Sequence, residues 1–181
     1  MEKNFIIAGF GGQGVLLAGE VLANAFMISN KSVTWYPSYG AEMRGGTVNC
    51  EIVMSDEEVS AVNKKELDYL IALNQLSFDK FLPRLKSGAT VIANSTLIQE
   101  AKPRTNINYI FAPLSQMATE LGNVKMANIL SLGVLAKELR YNNLTLLEQA
   151  LENVIPTHRK SLLPLNYKAL KLGYEYDLLA I

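Results

Sequence analysis

The sequence predicts an α/β fold: a three-layer α/β/α arrangement around a mostly parallel sheet, with the C-terminal third helical. Three observations carry that expectation. A short apolar run, Asn4-Phe-Ile-Ile-Ala8, leads straight into a glycine-rich turn, Gly9 to Gly14, and then into a run of helix formers. A β-branched and aromatic run follows that helix, and strand, glycine turn, helix, strand is the start of a parallel α/β sheet. Beyond Pro113 the apolar residues fall at spacings of three and four, which is helical periodicity.

The elements follow in order. Asn4–Ala8 is the first strand, and Val15 to Ile28 is a helix of good formers stopped at Asn30-Lys31. Ser32-Val-Thr-Trp-Tyr36 is β-branched and aromatic and reads as a second strand. Thr47 to Met54 alternates, with Val48, Cys50, Ile52 and Met54 on one face. Leu67 to Leu73 is a buried-type strand, Gln75 to Leu85 a helix ending near Ser87-Gly88, and Ala89–Ala93 and Ile107–Phe111 two more strands. Asn123 to Arg140 forms a helix with Met126, Ile129, Leu130 and Val134 on one face. Leu144–Val154 and Pro164–Leu172 are the last helices, the final one with Pro at its first turn and Gly173 as its C-cap. With no repeat, low-complexity tract or linker, residues 1–181 read as a single domain whose C-terminal helices cover the sheet or a partner.

Composition narrows the function classes. Lys plus Arg and Asp plus Glu number 17 each, so no global field draws nucleic acid or an anionic membrane. The single cysteine, Cys50, excludes an intrachain disulfide and cannot alone ligate an iron–sulfur cluster. No apolar segment approaches the ~18 residues of a membrane span, and the N-terminus lacks a signal-type pattern, so a soluble, cytoplasmic chain is expected.

Gly9, Gly11 and Gly14 match the spacing G-x-G-x-x-G between a strand and a helix. Glycine permits positive φ and close approach to the backbone, and free N–H groups at a helix start attract phosphate. A dinucleotide site is one reading. It calls for an acidic residue about 20 positions on, at the end of the second strand, to hold the ribose. That strand ends instead in Trp35-Tyr36-Pro37, and the nearest following acid, Glu42, lies deep in the next loop. A tight turn that packs helix against sheet without a ligand is the other alternative. No lysine follows the glycines as in a P-loop, and no Ser or Cys sits at the centre of the turn as a nucleophile.

The segment from Tyr36 to Thr47, Tyr-Pro-Ser-Tyr-Gly-Ala-Glu-Met-Arg-Gly-Gly-Thr, is the most specific in the chain. In a parallel sheet the loops after neighbouring strands meet in the crevice where ligands bind, which would bring this loop beside the glycine turn. Arg44 can give a bidentate charge to a phosphate, Gly45 and Gly46 expose backbone donors, and Tyr36 or Tyr39 can stack on a base or a partner. The candidate cofactor-binding set is therefore Gly9, Gly11, Gly12, Gln13, Gly14, Tyr39, Arg44, Gly45 and Gly46, with no catalytic residue and no metal ligand assigned.

Gly9-Phe-Gly-Gly-Gln-Gly-Val15 followed by Ser38-Tyr-Gly-Ala-Glu-Met-Arg-Gly-Gly-Thr47 and an apolar strand resembles the gamma subunit of the 2-oxoacid:ferredoxin oxidoreductases, the pyruvate/ketoisovalerate oxidoreductase gamma-type domain. The resemblance runs from the first strand to at least Ala93. It implies a subunit of an enzyme that decarboxylates a 2-oxoacid, forms an acyl-CoA and reduces ferredoxin. Thiamine diphosphate, Mg and iron–sulfur clusters would lie in alpha, beta and delta partners, and the chain alone would be inactive. The glycine loop would offer backbone donors to the CoA diphosphate, with Arg44 beside a CoA phosphate. The Tyr39–Gly46 version, with Glu42 and Cys50, looks most like the 2-oxoglutarate members.

Other residues invite a simpler reading. His158, the only histidine, sits in a basic turn and reads as a surface or helix-start residue, and Cys50 as a buried, inert thiol. Asp56-Glu57-Glu58 reads as a solvated turn or helix start. Asn128, on the apolar-striped helix, either bonds a neighbouring backbone or touches the cofactor site.

Overall fold

The computed structural model describes residues 1–39, 47–59, 65–101 and 104–177. Its strands are β1 (Glu2–Phe10), β2 (Ser32–Tyr39), β3 (Thr47–Ser55), β4 (Leu67–Ala72), β5 (Leu85–Asn94) and β6 (Asn108–Ala112). Its helices are α1 (Val15–Ile28), α2 (Gln75–Phe81), α3 (Leu114–Glu120), α4 (Ala127–Glu138), α5 (Thr145–Val154) and α6 (Leu163–Glu175). The strands form one sheet in the order β2-β3-β1-β4-β5-β6. Pairs β1–β4, β4–β5 and β5–β6 are parallel, whereas β3 runs antiparallel to both β1 and β2. β3 alone is therefore reversed, and it separates β1 from β2. The reason is the length of chain between β2 and β3: residues 40–46 can close a hairpin-type return but not a parallel crossover, which needs a dozen residues or more.

Alternation along β1 supplies both faces of the sheet. Phe5 and Ile7 join Cys50, Ile52, Ile71 and Ile92 under α1, α4 and α5, while Ile6 and Ala8 join Leu70, Val91 and Ala93 under Phe78 and Phe81 of α2. The first face carries a thick helical layer and the second a thin one, so the three-layer expectation holds with unequal layers. α4 is buried on every side from Ala127 to Ala136, as a helix apolar all round should be. It is roofed by α6. At that crossing Gly133 faces Gly173, and a Cβ added to Gly173 would lie 2.0 Å from the Leu130 carbonyl oxygen.

Three local expectations are corrected. Gly173 is not a helix cap; α6 continues to Glu175, and the missing side chain serves the close approach of α4. The helix expected from Gln75 to Leu85 stops at Phe81, because Pro83 cannot continue the hydrogen-bond ladder; a 3-10 turn, Leu82–Arg84, follows, and Leu85 already pairs with Leu67. Ser87-Gly88 consequently lies inside β5, at an irregularity where Gly88 takes φ 77°. β2 also runs past Tyr36 through Pro37, which is tolerated because β2 is an edge strand.

The thiol of Cys50 is fully buried and donates to the Val15 carbonyl at 3.5 Å. Burial pushes its pKa up to about 12, which fits the inert role expected of it. At the opposite edge, Asp56 accepts from Lys31 and from the N-terminal ammonium at 2.6 Å, and Lys31 foremost holds its carboxyl down at about 2.

Candidate functional site

The C-terminal ends of β1, β4, β5 and β6 point the same way, and the glycine turn stands at that edge. Two glycines of the turn take positive φ: Gly12 at 91° and Gly14, the N-cap of α1, at 72°. No side chain caps α1 and its first turn holds no acid, so the positive end of the helix is left for another acceptor. Gly11 and Gly12 are exposed, and a Cβ built on either meets nothing within 4 Å. That is open space over backbone amides. Gly9 differs: it is buried, and its Cβ would fall 2.6 Å from Gln13 Oε1.

Gln13 turns inward. Its Oε1 accepts from the Phe10 N–H at 2.6 Å and from Asn74 Nδ2 at 3.1 Å, and its Nε2 donates to the Leu73 carbonyl at 3.4 Å. Asn94 Nδ2 donates to the same Leu73 carbonyl at 3.2 Å and to Ser115 Oγ at 2.7 Å. Asn128 Nδ2 donates to the Gly14 carbonyl at 2.9 Å. These amides brace the turn against three strand ends and two helices, so its backbone donors are held in place. Of the two roles expected for Asn128, the structure shows the bond to a neighbouring backbone. Asn74 and Asn94 were not singled out from sequence. Their signal was a polar side chain ending an apolar strand, in Leu73-Asn74 and Ala93-Asn94.

Arg44, Gly45, Gly46 and the Tyr39 side chain lie outside the described residues. The strand register still fixes where their loop begins and ends. Tyr39 and Gly9 both pair with Val48, which places their backbones two strand spacings, roughly 10 Å, apart. Thr47, where the chain returns, pairs with Phe10. Both ends of that loop therefore meet the sheet at the edge carrying the glycine turn. Beside them Lys80 Nζ donates to Thr47 Oγ1 at 2.9 Å, a cation that sequence reasoning missed.

On its other side the turn borders a cleft of about 530 Å3, walled by Gly12 and Gly14, by Lys125 and Asn128, and by Arg159 and Asn166. His158 is exposed on the 3-10 turn Thr157–Leu162, a surface position as expected. Among the described residues no group of three or more His, Cys, Asp or Glu could hold a metal ion, and no helix is long and apolar enough to cross a membrane.

A braced glycine turn opening an uncapped helix stands at the strand ends of a six-stranded mixed sheet, in an α/β domain with the geometry that suits an anion. The chain belongs to the pyruvate ferredoxin/flavodoxin oxidoreductase family, whose model matches residues 4–176. It is 33% identical over 182 residues to the 2-oxoglutarate synthase subunit KorC of Methanocaldococcus jannaschii, covering 97% of this chain and 94% of that protein. It is 39% identical over 134 residues to the ketoisovalerate oxidoreductase subunit VorA of Methanothermobacter marburgensis, where the match covers 74% of this chain but only 28% of that longer protein. The keto/oxoacid ferredoxin oxidoreductase gamma subunit of Geobacter sulfurreducens superposes with a TM-score of 0.84 at 29% identity, covering 97% of this chain and 95% of that one. The 2-oxoglutarate:ferredoxin oxidoreductase of Magnetococcus marinus, solved with 2-oxoglutarate, coenzyme A and succinyl-CoA bound, shares the fold with a TM-score of 0.85 at 20% identity, over 96% of this chain and 30% of that one.

Proposed function

We propose that this chain is the gamma subunit of a multi-subunit 2-oxoacid:ferredoxin oxidoreductase acting on 2-oxoglutarate, and that it binds coenzyme A. The observation that carries the CoA reading is the pairing of open space over Gly11 and Gly12 with the uncapped start of α1. Fixed N–H groups and a positive helix end suit a diphosphate, and nothing in the turn competes for them. Arg44, on the loop whose ends meet that edge, supplies the charge the turn lacks, with Tyr39, Gly45 and Gly46 completing the cradle. Gly9, Gln13 and Gly14 contribute by holding the turn in shape. The 2-oxoglutarate assignment draws on the likeness to KorC along nearly the whole chain.

In this reading residues 1–181 form one domain and work in the cytoplasm, with alpha, beta and delta partners. Those partners hold thiamine diphosphate, Mg and the iron–sulfur clusters, and ferredoxin meets the complex rather than this chain alone. Arg44→Ala in the assembled enzyme is expected to raise the KM for CoA about tenfold, the loss of one charge-assisted hydrogen bond, with kcat little changed. Steady-state kinetics with CoA as the varied substrate decides the matter. An unchanged KM would mean that this loop packs against a neighbouring subunit and touches no ligand.

A further inference from the structure

We propose that a pocket at the opposite end of β1 from the glycine turn binds an apolar α-amino acid, with Arg140 holding its carboxylate and Glu138 its ammonium. The pocket has a volume of about 420 Å3 and lies where the C-terminal ends of α1 and α4 meet the start of β1. Lys3, on its wall, stands seven residues before Phe10, so roughly 23 Å of strand separates it from the glycine turn. Occupancy of this pocket needs no CoA at the turn.

Charge at the pocket is the first reason. Lys3 pairs with Asp68 at 3.3 Å, while Lys31 and the N-terminal ammonium share Asp56. The other charged groups of the lining are Glu138, half-buried, and Arg140, exposed, and neither forms an ion pair among the described residues. Two residues apart at a helix end, they do not face each other. Glu138 accepts one neutral hydrogen bond, from Thr90 Oγ1 at 3.0 Å, which gives it no counterion. A cation and a carboxylate left over at one pocket fit a zwitterion. An anion alone would meet Glu138 and the negative ends of two helices, because Ser29 closes α1, Leu139 closes α4, and both line the pocket.

The backbone at Arg140 is the second reason. Arg140 takes φ 57°, just past α4, in the left-handed position that helix ends usually give to glycine or asparagine. Its N–H donates to the Lys137 carbonyl at 2.9 Å and the Tyr141 N–H to the Ala136 carbonyl at 3.0 Å, the paired bonds of such a helix stop. Glycine makes the same stop without the strain of a left-handed side chain. The guanidinium is what that strain keeps at the rim. The third reason is the lining. Phe26, Met54, Leu139 and Leu146 form apolar walls with the ring of Tyr141 beside them, which suits a hydrocarbon or aromatic side chain.

The test is an NMR titration of the isotope-labelled full chain with L-phenylalanine, hydrocinnamate, phenethylamine and glycine. L-Phenylalanine is expected to bind saturably with a Kd below about 1 mM and to shift the amides of Lys3, Ser29 and Leu139 to Tyr141. Hydrocinnamate lacks the ammonium and phenethylamine the carboxylate, so each should bind at least about tenfold more weakly. Glycine, without a side chain for the apolar walls, should not saturate. Arg140→Gly should weaken L-phenylalanine by at least about tenfold and leave the melting temperature unchanged or raised, because glycine suits φ 57°. Glu138→Gln, which keeps an acceptor for Thr90, should weaken it by a similar factor. A titration with L-phenylalanine that does not saturate with a Kd below about 1 mM overturns the proposal. So does equal affinity for either fragment, unchanged affinity in either variant, or shifts confined to the glycine turn.

Discussion

Gly173→Ala is expected to cost about 3 kcal/mol of stability and to lower the melting temperature by about 6–12 °C. Helix propensity alone predicts the opposite, a gain of about 1 kcal/mol for alanine over glycine in a helix interior. The collision decides the sign, because the new Cβ would sit 2.0 Å from the Leu130 carbonyl oxygen and 3.2 Å from the Gly133 Cα. Those are backbone atoms of a buried helix and cannot swing aside as a flexible side chain would. Gly133→Ala meets the Leu170 carbonyl at 2.1 Å and should behave alike. The double variant should cost less than the sum, since both substitutions force apart the same α4–α6 crossing. Thermal unfolding followed by circular dichroism reads the effect, and an unchanged or raised melting temperature would contradict it.

Gly14→Ala should lower kcat/KM for CoA by at least about tenfold in the assembled enzyme, with the loss expressed mainly in KM. Two costs combine. A side chain at φ 72° carries roughly 1–2 kcal/mol of strain, and the Cβ would lie 2.3 Å from Asn128 Nδ2, displacing the amide that holds the turn. Relief of either moves the N–H groups at the start of α1. Gly88→Ala is the control, with φ 77° and nothing within 4 Å of the added carbon, so it carries the strain without touching the turn. Its kinetics with CoA should match those of the unsubstituted enzyme.

The contrast between these glycines also shows what was legible in the sequence. The turn from Gly9 to Gly14 was readable because positive φ and a free helix start are local properties, written in adjacent residues. The same holds for α1, which starts at Val15 and ends at Ile28 as its composition suggested. Gly173 was misread because its reason lies 40 residues back, in the backbone of Leu130 and Gly133. The insertion of β3 between β1 and β2 was equally hidden, since strand order depends on which edges find each other and not on local pattern. On the site side, Asn128 bonds Gly14 across 114 residues of sequence. Asn166, buried with its Nδ2 donating to the Leu162 carbonyl, had no local signal at all, being one more polar position in a helical run.

In its proposed role this chain supplies the CoA-binding part of an enzyme whose redox chemistry belongs to its partners. Co-expression with its alpha and beta partners, and with delta where present, followed by an assay of viologen reduction with 2-oxoglutarate and CoA, tests that claim most directly. The complex should reduce the dye only when both substrates are present, and the purified chain alone should reduce none. Oxidation of 2-oxoglutarate by the lone chain would contradict the account, and so would an unchanged KM for CoA in a complex assembled without it.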